Sequence, residues 1–243
     1  MVIYLKAVLA IALLGLVEIT CCLTPAQAQN SPSLQVASDP PKPPARGTPP
    51  RRKPAAGRGG CEETAIPFTP FLPETEGEYS GLTLREHPTF WFYVPYKSSS
   101  ISSGEFAIAD FEGNQLYRVD FKLPETAGFV SVSIPPTAQP LEKNKRYRWT
   151  FVLHCTDQTS EQPISHIGLV ERVDLPSIEA QLPMASLEKQ LNLYLENSIW
   201  YDASADLAQI RNVPQAWLKL LRAMGLIELR QEAIAGSVVP IEP

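Results

Sequence analysis

Histidine and cysteine are scarce in this chain, with three and four copies among 243 residues. His87, His154 and His166 stand at no metal-ligand spacing with the cysteines, which excludes a zinc motif of the usual paired kind. Phosphate cradling is excluded as well, because GRGG at 57–60 sits in a proline-rich stretch and opens no helix. No metal or cofactor is therefore expected. Long apolar runs are missing too: Ala7 to Val17 falls short of the roughly 18 residues a spanning helix needs, and no later segment approaches that length. A transmembrane segment is not expected.

That short apolar run sets the compartment instead. Lys6 precedes it and Ala26-Gln27-Ala28 supplies a small-x-small cleavage site, so residues 1–28 read as a secretory signal and the chain is expected to be exported, to the periplasm or beyond. Lipidation of Cys21 or Cys22 is the rival reading, but Glu18-Ile19-Thr20 puts a charge where lipoprotein signals carry small and apolar residues. Removal of the signal leaves Cys61 and Cys155, which in an oxidising compartment suggest one disulfide, two separate thiols being the alternative. Such a bridge closes a loop of roughly 95 residues and stabilises by about 4 to 5 kcal/mol in the chain-entropy picture.

Residues 29–60 have almost no apolar content and carry six Lys or Arg against one Asp, so they read as a disordered proline-rich linker. The linker is either a solvated spacer or a basic arm for an anionic surface. Residues 61–243 carry 14 basic and 24 acidic side chains, and no nucleic-acid partner is expected of them.

From Cys61 onward, short runs of Val, Ile, Phe, Tyr and Trp alternate with Gly, Pro, Asn and Asp clusters, the pattern of an all-β sandwich. Strands are predicted near Thr89 to Val94, Glu105 to Phe111, Leu116 to Leu123, Phe129 to Ile134, Arg146 to Cys155 and Ile167 to Asp174, with a hairpin turn at Glu112-Gly113-Asn114. In RYRWTFVLHC one face is wholly apolar: Tyr147, Trp149, Phe151, Leu153 and Cys155. Leu141 precedes Tyr147 at a spacing that resembles the tyrosine corner of immunoglobulin-like and fibronectin-type sandwiches, which puts the Tyr147 hydroxyl on backbone near Leu141.

HPTFWFYVPY, 87–96, is apolar on both faces. The period of two sends Phe90, Phe92 and Val94 one way and Trp91 and Tyr93 the other. Either helices cover Trp91 and Tyr93, with Tyr96 alone reaching solvent, or Trp91, Tyr93 and Tyr96 form a ligand-binding platform for a sugar or peptide.

After Pro183 the period becomes helical. Leu187, Leu191, Tyr194 and Leu195 make one stripe; Trp200, Ala203, Leu207 and Ile210 a second; Trp217, Leu220, Leu221 and Met224 a third, begun by Pro214 and stopped by Gly225. LYLENSIWYDASADLAQI resembles one degenerate tetratricopeptide repeat, with Ser198 where that repeat usually has Gly. The organisation expected is a signal at 1–28, the linker at 29–60, an immunoglobulin- or fibronectin-like sandwich at 61–182, a helical unit at 183–226 and a tail at 227–243.

The stretches GRGGC, GLTLREHPTFWFYVPY, EGNQLYR, LEKNKRYRW and ENSIWYDASADLAQIR together resemble the domain-of-unknown-function family 928, a family of exported cyanobacterial proteins. The resemblance spans nearly all of residues 57–226 and brings no activity and no catalytic residue with it. Catalysis finds little else to stand on. Cys155 and His154 are strand neighbours and point to opposite faces, and Glu62-Glu63 and Asp202-Asp206 read as solvated carboxylates. The leading expectation is a non-catalytic module that binds a protein or glycan at the cell envelope. The alternative is a hydrolase of cell-wall or extracellular glycan using Glu86 or another carboxylate beside the aromatic strand.

Overall fold

The computed structural model describes residues 61–156 and 163–241; the signal read at 1–28 and the linker read at 29–60 lie outside the described residues. Strands β1 (Thr69–Pro70), β2 (Glu74–Thr75), β3 (Glu78–Thr83), β4 (Thr89–Val94), β5 (Ile101–Ala109), β6 (Gln115–Lys122), β7 (Gly128–Ser133), β8 (Lys145–Cys155) and β9 (Ile164–Arg172) come first. Helices α1 (Pro176–Glu179), α2 (Leu187–Glu196), α3 (Trp200–Ala203), α4 (Leu207–Arg211) and α5 (Pro214–Met224) follow, and β10 (Ile234–Ser237) and β11 (Val239–Pro240) close the chain. The strands make two sheets, in the orders β1-β4-β7-β10 and β11-β6-β5-β8-β9-β3-β2.

Side-chain alternation decides what each sheet buries. Phe90, Phe92 and Val94 of β4 and Val130 and Val132 of β7 join Phe106, Ile108, Tyr147, Trp149, Phe151 and Leu153 of the larger sheet in one buried cluster. Its aromatic centre is close, with the Phe92 and Phe151 ring centroids 4.2 Å apart. Room for Trp149 comes from its cross-strand partner Gly168, where a Cβ would fall 2.2 Å from the indole. The other face of β4 and β7 supplies Tyr93 and Phe129 to a second cluster, completed by Leu191, Leu207, Ile210, Trp217, Leu220 and Leu221 of the helices.

The six predicted strands are present, and β4 has the predicted bounds. The predicted hairpin is held by the Asp110 carboxylate, which accepts the Asn114 backbone N–H at 2.8 Å and its amide at 2.9 Å, while Gly113 takes φ of 91°. The Tyr147 corner is also in place. The Glu142 backbone N–H donates to the Tyr147 hydroxyl at 3.0 Å, and Arg172 donates to the Leu141 carbonyl at 2.7 Å from the other side.

Two differences matter for the site. The predicted second helix is broken into α3 and α4, because the Ser204 hydroxyl bonds back to the carbonyls of Trp200 at 3.1 Å and Tyr201 at 3.2 Å and ends the first turn. Residues 227–241, read from the sequence as a tail, are structural. β10 runs parallel to β7, and β11 then pairs with β6 of the other sheet, so the chain crosses between the sheets and covers an edge of each.

Candidate functional site

The helices meet the sandwich at two places, both built from stretches that look unusual in the sequence. At β4, Tyr93 is 6% exposed and its hydroxyl donates to the Glu232 carboxylate at 3.0 Å. Burial, reinforced by that carboxylate, pushes the phenol up to about 12. Trp91 is half-buried against the same helical cluster, and its indole nitrogen is buried without a partner among the described residues. Tyr96 corrects the expectation that it reaches solvent: it is 9% exposed, in the sandwich cluster that also takes Cys61 and Cys155. The reason is nonlocal. Cys61 and Cys155 are disulfide-bonded with Cα atoms 5.4 Å apart, and the segment starting at Cys61 brings Thr64 onto the Tyr96 hydroxyl. Tyr93 and Tyr96 thus face inward, and an open platform of Trp91, Tyr93 and Tyr96 is not what the strand presents.

The second junction brings two of the quoted motifs together. Gly81 to Arg85, on and after β3, meets Ser198 to Asp202 at the start of α3. The Leu82 N–H donates to the Ser198 carbonyl at 3.0 Å, and Ser198 itself holds φ of 58°, the left-handed conformation for which a glycine would be the easier residue. Asp202, read from the sequence as solvated, is 4% exposed and receives the Thr83 hydroxyl at 2.7 Å, the Leu84 N–H at 3.1 Å and the Arg85 Nε at 3.3 Å. Burial pushes its carboxyl up and these donors pull it back, with burial the larger influence. No sequence signal marks Asp202, because its partners lie well over a hundred residues upstream. Next to it Tyr201 enters the sandwich core, between the Trp149 indole and the Leu169 carbonyl.

The remaining candidates are dispersed. His166 bonds the Phe68 carbonyl at 2.8 Å, His87 bonds the Ala138 carbonyl at 3.1 Å, and His154 is exposed. Glu86, the carboxylate named for a hydrolase, forms an ion pair with Arg172 at 3.0 Å. Among the described residues, no three His, Cys, Asp or Glu side chains are placed to hold a metal ion, and no helix is long and apolar enough to cross a membrane.

The surface of the described residues also carries depressions, two of which bear on the site. One, of about 460 Å³, lies between Ser98–Ser102 and Lys122. The other, of about 290 Å³, lies on the helical unit between Arg211 and Pro214 of the α4–α5 junction, Trp217 and Leu218 of α5, and Arg230. Sequence reading missed it, since Arg211 and Arg230 belong to different segments and meet only through the fold.

Two sheets with a helical layer packed on the smaller and bonded through α3 to the larger, sealed by aromatic residues and buried hydrogen bonds, define a mainly β domain with a C-terminal helical region. The family described as Domain of Unknown Function (DUF928) matches residues 53–234, and the chain belongs to it. No curated protein matches the chain.

Proposed function

We propose that this chain is an exported, non-catalytic module that binds a protein or glycan partner at the cell envelope. The observation that carries the reading is how the domain spends its side chains. Asp202 is tied to Thr83, Leu84 and Arg85, and Glu232 to Tyr93, while the helical half turns Met184, Val213 and Ile227 to solvent at 93%, 40% and 38% exposure. These two carboxylates are thus committed to joining layers, and exposed apolar side chains, on the helical half as on the sheets, are left for contact.

Export, to the periplasm or the extracellular space, is supported by the signal-like start and by the disulfide between the two cysteines beyond it. The cyanobacterial setting is what the family resemblance implies. The Tyr147 corner supports an immunoglobulin-like sandwich, and the left-handed Ser198 between α2 and α3 supports a single tetratricopeptide-like hairpin. The basic linker would hold the module near an anionic surface.

Photo-crosslinking of the full chain in its native envelope tests the reading. A crosslinker at Val213 should capture a specific partner, and one at Phe111, on the β5–β6 turn, should not. Release of reducing ends from envelope glycan by the purified chain would contradict it.

A further inference from the structure

We propose, on the footing that the chain is a binding module, that the groove beside α4 and α5 takes the C-terminal carboxylate of a peptide chain that ends in an apolar residue. Its volume of about 290 Å³ lies just below the range for ligand pockets, roughly 300 to 1,000 Å³, and is enough to seat one terminal residue. Trp217, Pro214 and Leu218 supply apolar wall, and Arg211 and Arg230 supply charge.

Residues 61–243 carry 24 acidic side chains against 14 basic, yet among the described residues Arg211 and Arg230 have no carboxylate partner. Arg148 and Arg222 share that condition, but only Arg211 and Arg230 line the same depression. Glu232, the nearest acid in sequence to Arg230 on its C-terminal side, gives its carboxylate to Tyr93 instead. Arg211 is also held in position. Its guanidinium lies over the Trp217 ring at 5.6 Å and donates to the Glu232 and Gln231 carbonyls, which uses two of its five N–H groups and leaves three. The Trp217 indole donates to the Arg230 carbonyl at 3.1 Å and fixes the backbone from which Arg230 projects. A preorganised guanidinium and a second, exposed one beside an apolar wall match a carboxylate next to an apolar side chain.

The test uses the isotope-labelled full chain and N-acetyl-Ala-Ala-Leu as free acid, as C-terminal amide, and with Leu replaced by Ser. The free acid should shift the Trp217 indole and Arg230 amide resonances saturably. The amide and the Ser peptide should bind about tenfold more weakly or worse. Arg230→Gln should weaken the free acid by a similar factor without moving the melting temperature, since the Arg230 side chain is exposed. Equal binding of acid and amide, inorganic phosphate binding as well as the peptide, no saturable shift, or an indifferent Arg230→Gln would each overturn the proposal. Partner capture through Val213 by a chain that ignores the free-acid peptide would overturn this ligand while leaving the binding-module reading intact.

Discussion

The Trp149 indole N–H donates to the Tyr201 hydroxyl at 2.7 Å, and that hydroxyl donates onward to the Leu169 carbonyl at 2.8 Å. Trp149 belongs to β8 and Leu169 to β9, so one phenol on α3 is bonded to two neighbouring strands. Burial keeps Tyr201 protonated far above the ordinary range, despite the Trp149 donor that favours the anion, and the hydroxyl retains the proton it donates. Tyr201→Phe leaves a buried N–H and a carbonyl without this partner, and should cost about 1 to 3 kcal/mol. Urea unfolding should record a lower midpoint with the slope unchanged. An unmoved midpoint would mean that α3 is not bonded into the sandwich.

A similar loss is expected at the corner between the sheets. Tyr147 is fully buried and its hydroxyl accepts the Glu142 N–H, so Tyr147→Phe should cost about 1 to 3 kcal/mol in the same unfolding measurement. A cost near zero would place the hydroxyl in water.

His166 gives the fold an acid-side dependence. Burial lowers its basicity, only partly offset by the bond to the Phe68 carbonyl, and the rings of Phe68 and Tyr79 stand edge-on at 4.7 and 5.3 Å. The folded value is depressed below the unfolded one of about 6.5, so the unfolded chain binds the proton first. Its contribution to stability is complete above about pH 6.5 and is lost as pH falls through that value toward the folded one. The imidazole resonances of His166 should titrate below the ordinary histidine value, and His166→Gln should flatten this part of the stability profile. Titration at or above the ordinary value would contradict the burial argument.

Local patterns in the sequence carry the strands that alternate strongly, and β8 is the clearest: Tyr147, Trp149, Phe151 and Leu153 face one way and are buried. They do not carry β3, whose residues EYSGLT are mostly half-buried and gain strand geometry from pairing with β9, nor β10 and β11, which exist because β7 and β6 offer edges to a distant segment. The two faces of β4 are legible from the period of two. The burial of Tyr96 is not, because it depends on the segment drawn over it through Cys61, and Asp202 escapes for the same reason, its partners being on β3 and just beyond it. Charge totals gave no hint of the Arg211 and Arg230 groove, which exists only once α4, α5 and residues 227–231 are packed.

If β4 is the seam between the layers, helices and sandwich must open together. Native-state hydrogen exchange on the full chain measures this most directly, comparing the slowest amides of β4 with those of α5. The two sets should share one opening free energy, and Ile210→Val, a mild truncation in the cluster between helices and sheet that costs about 0.5 to 1.5 kcal/mol, should lower both by the same amount. Exchange of α5 at a lower free energy than β4, with Ile210→Val felt in the helices alone, would show that the helical unit rides on the sandwich without being sealed to it.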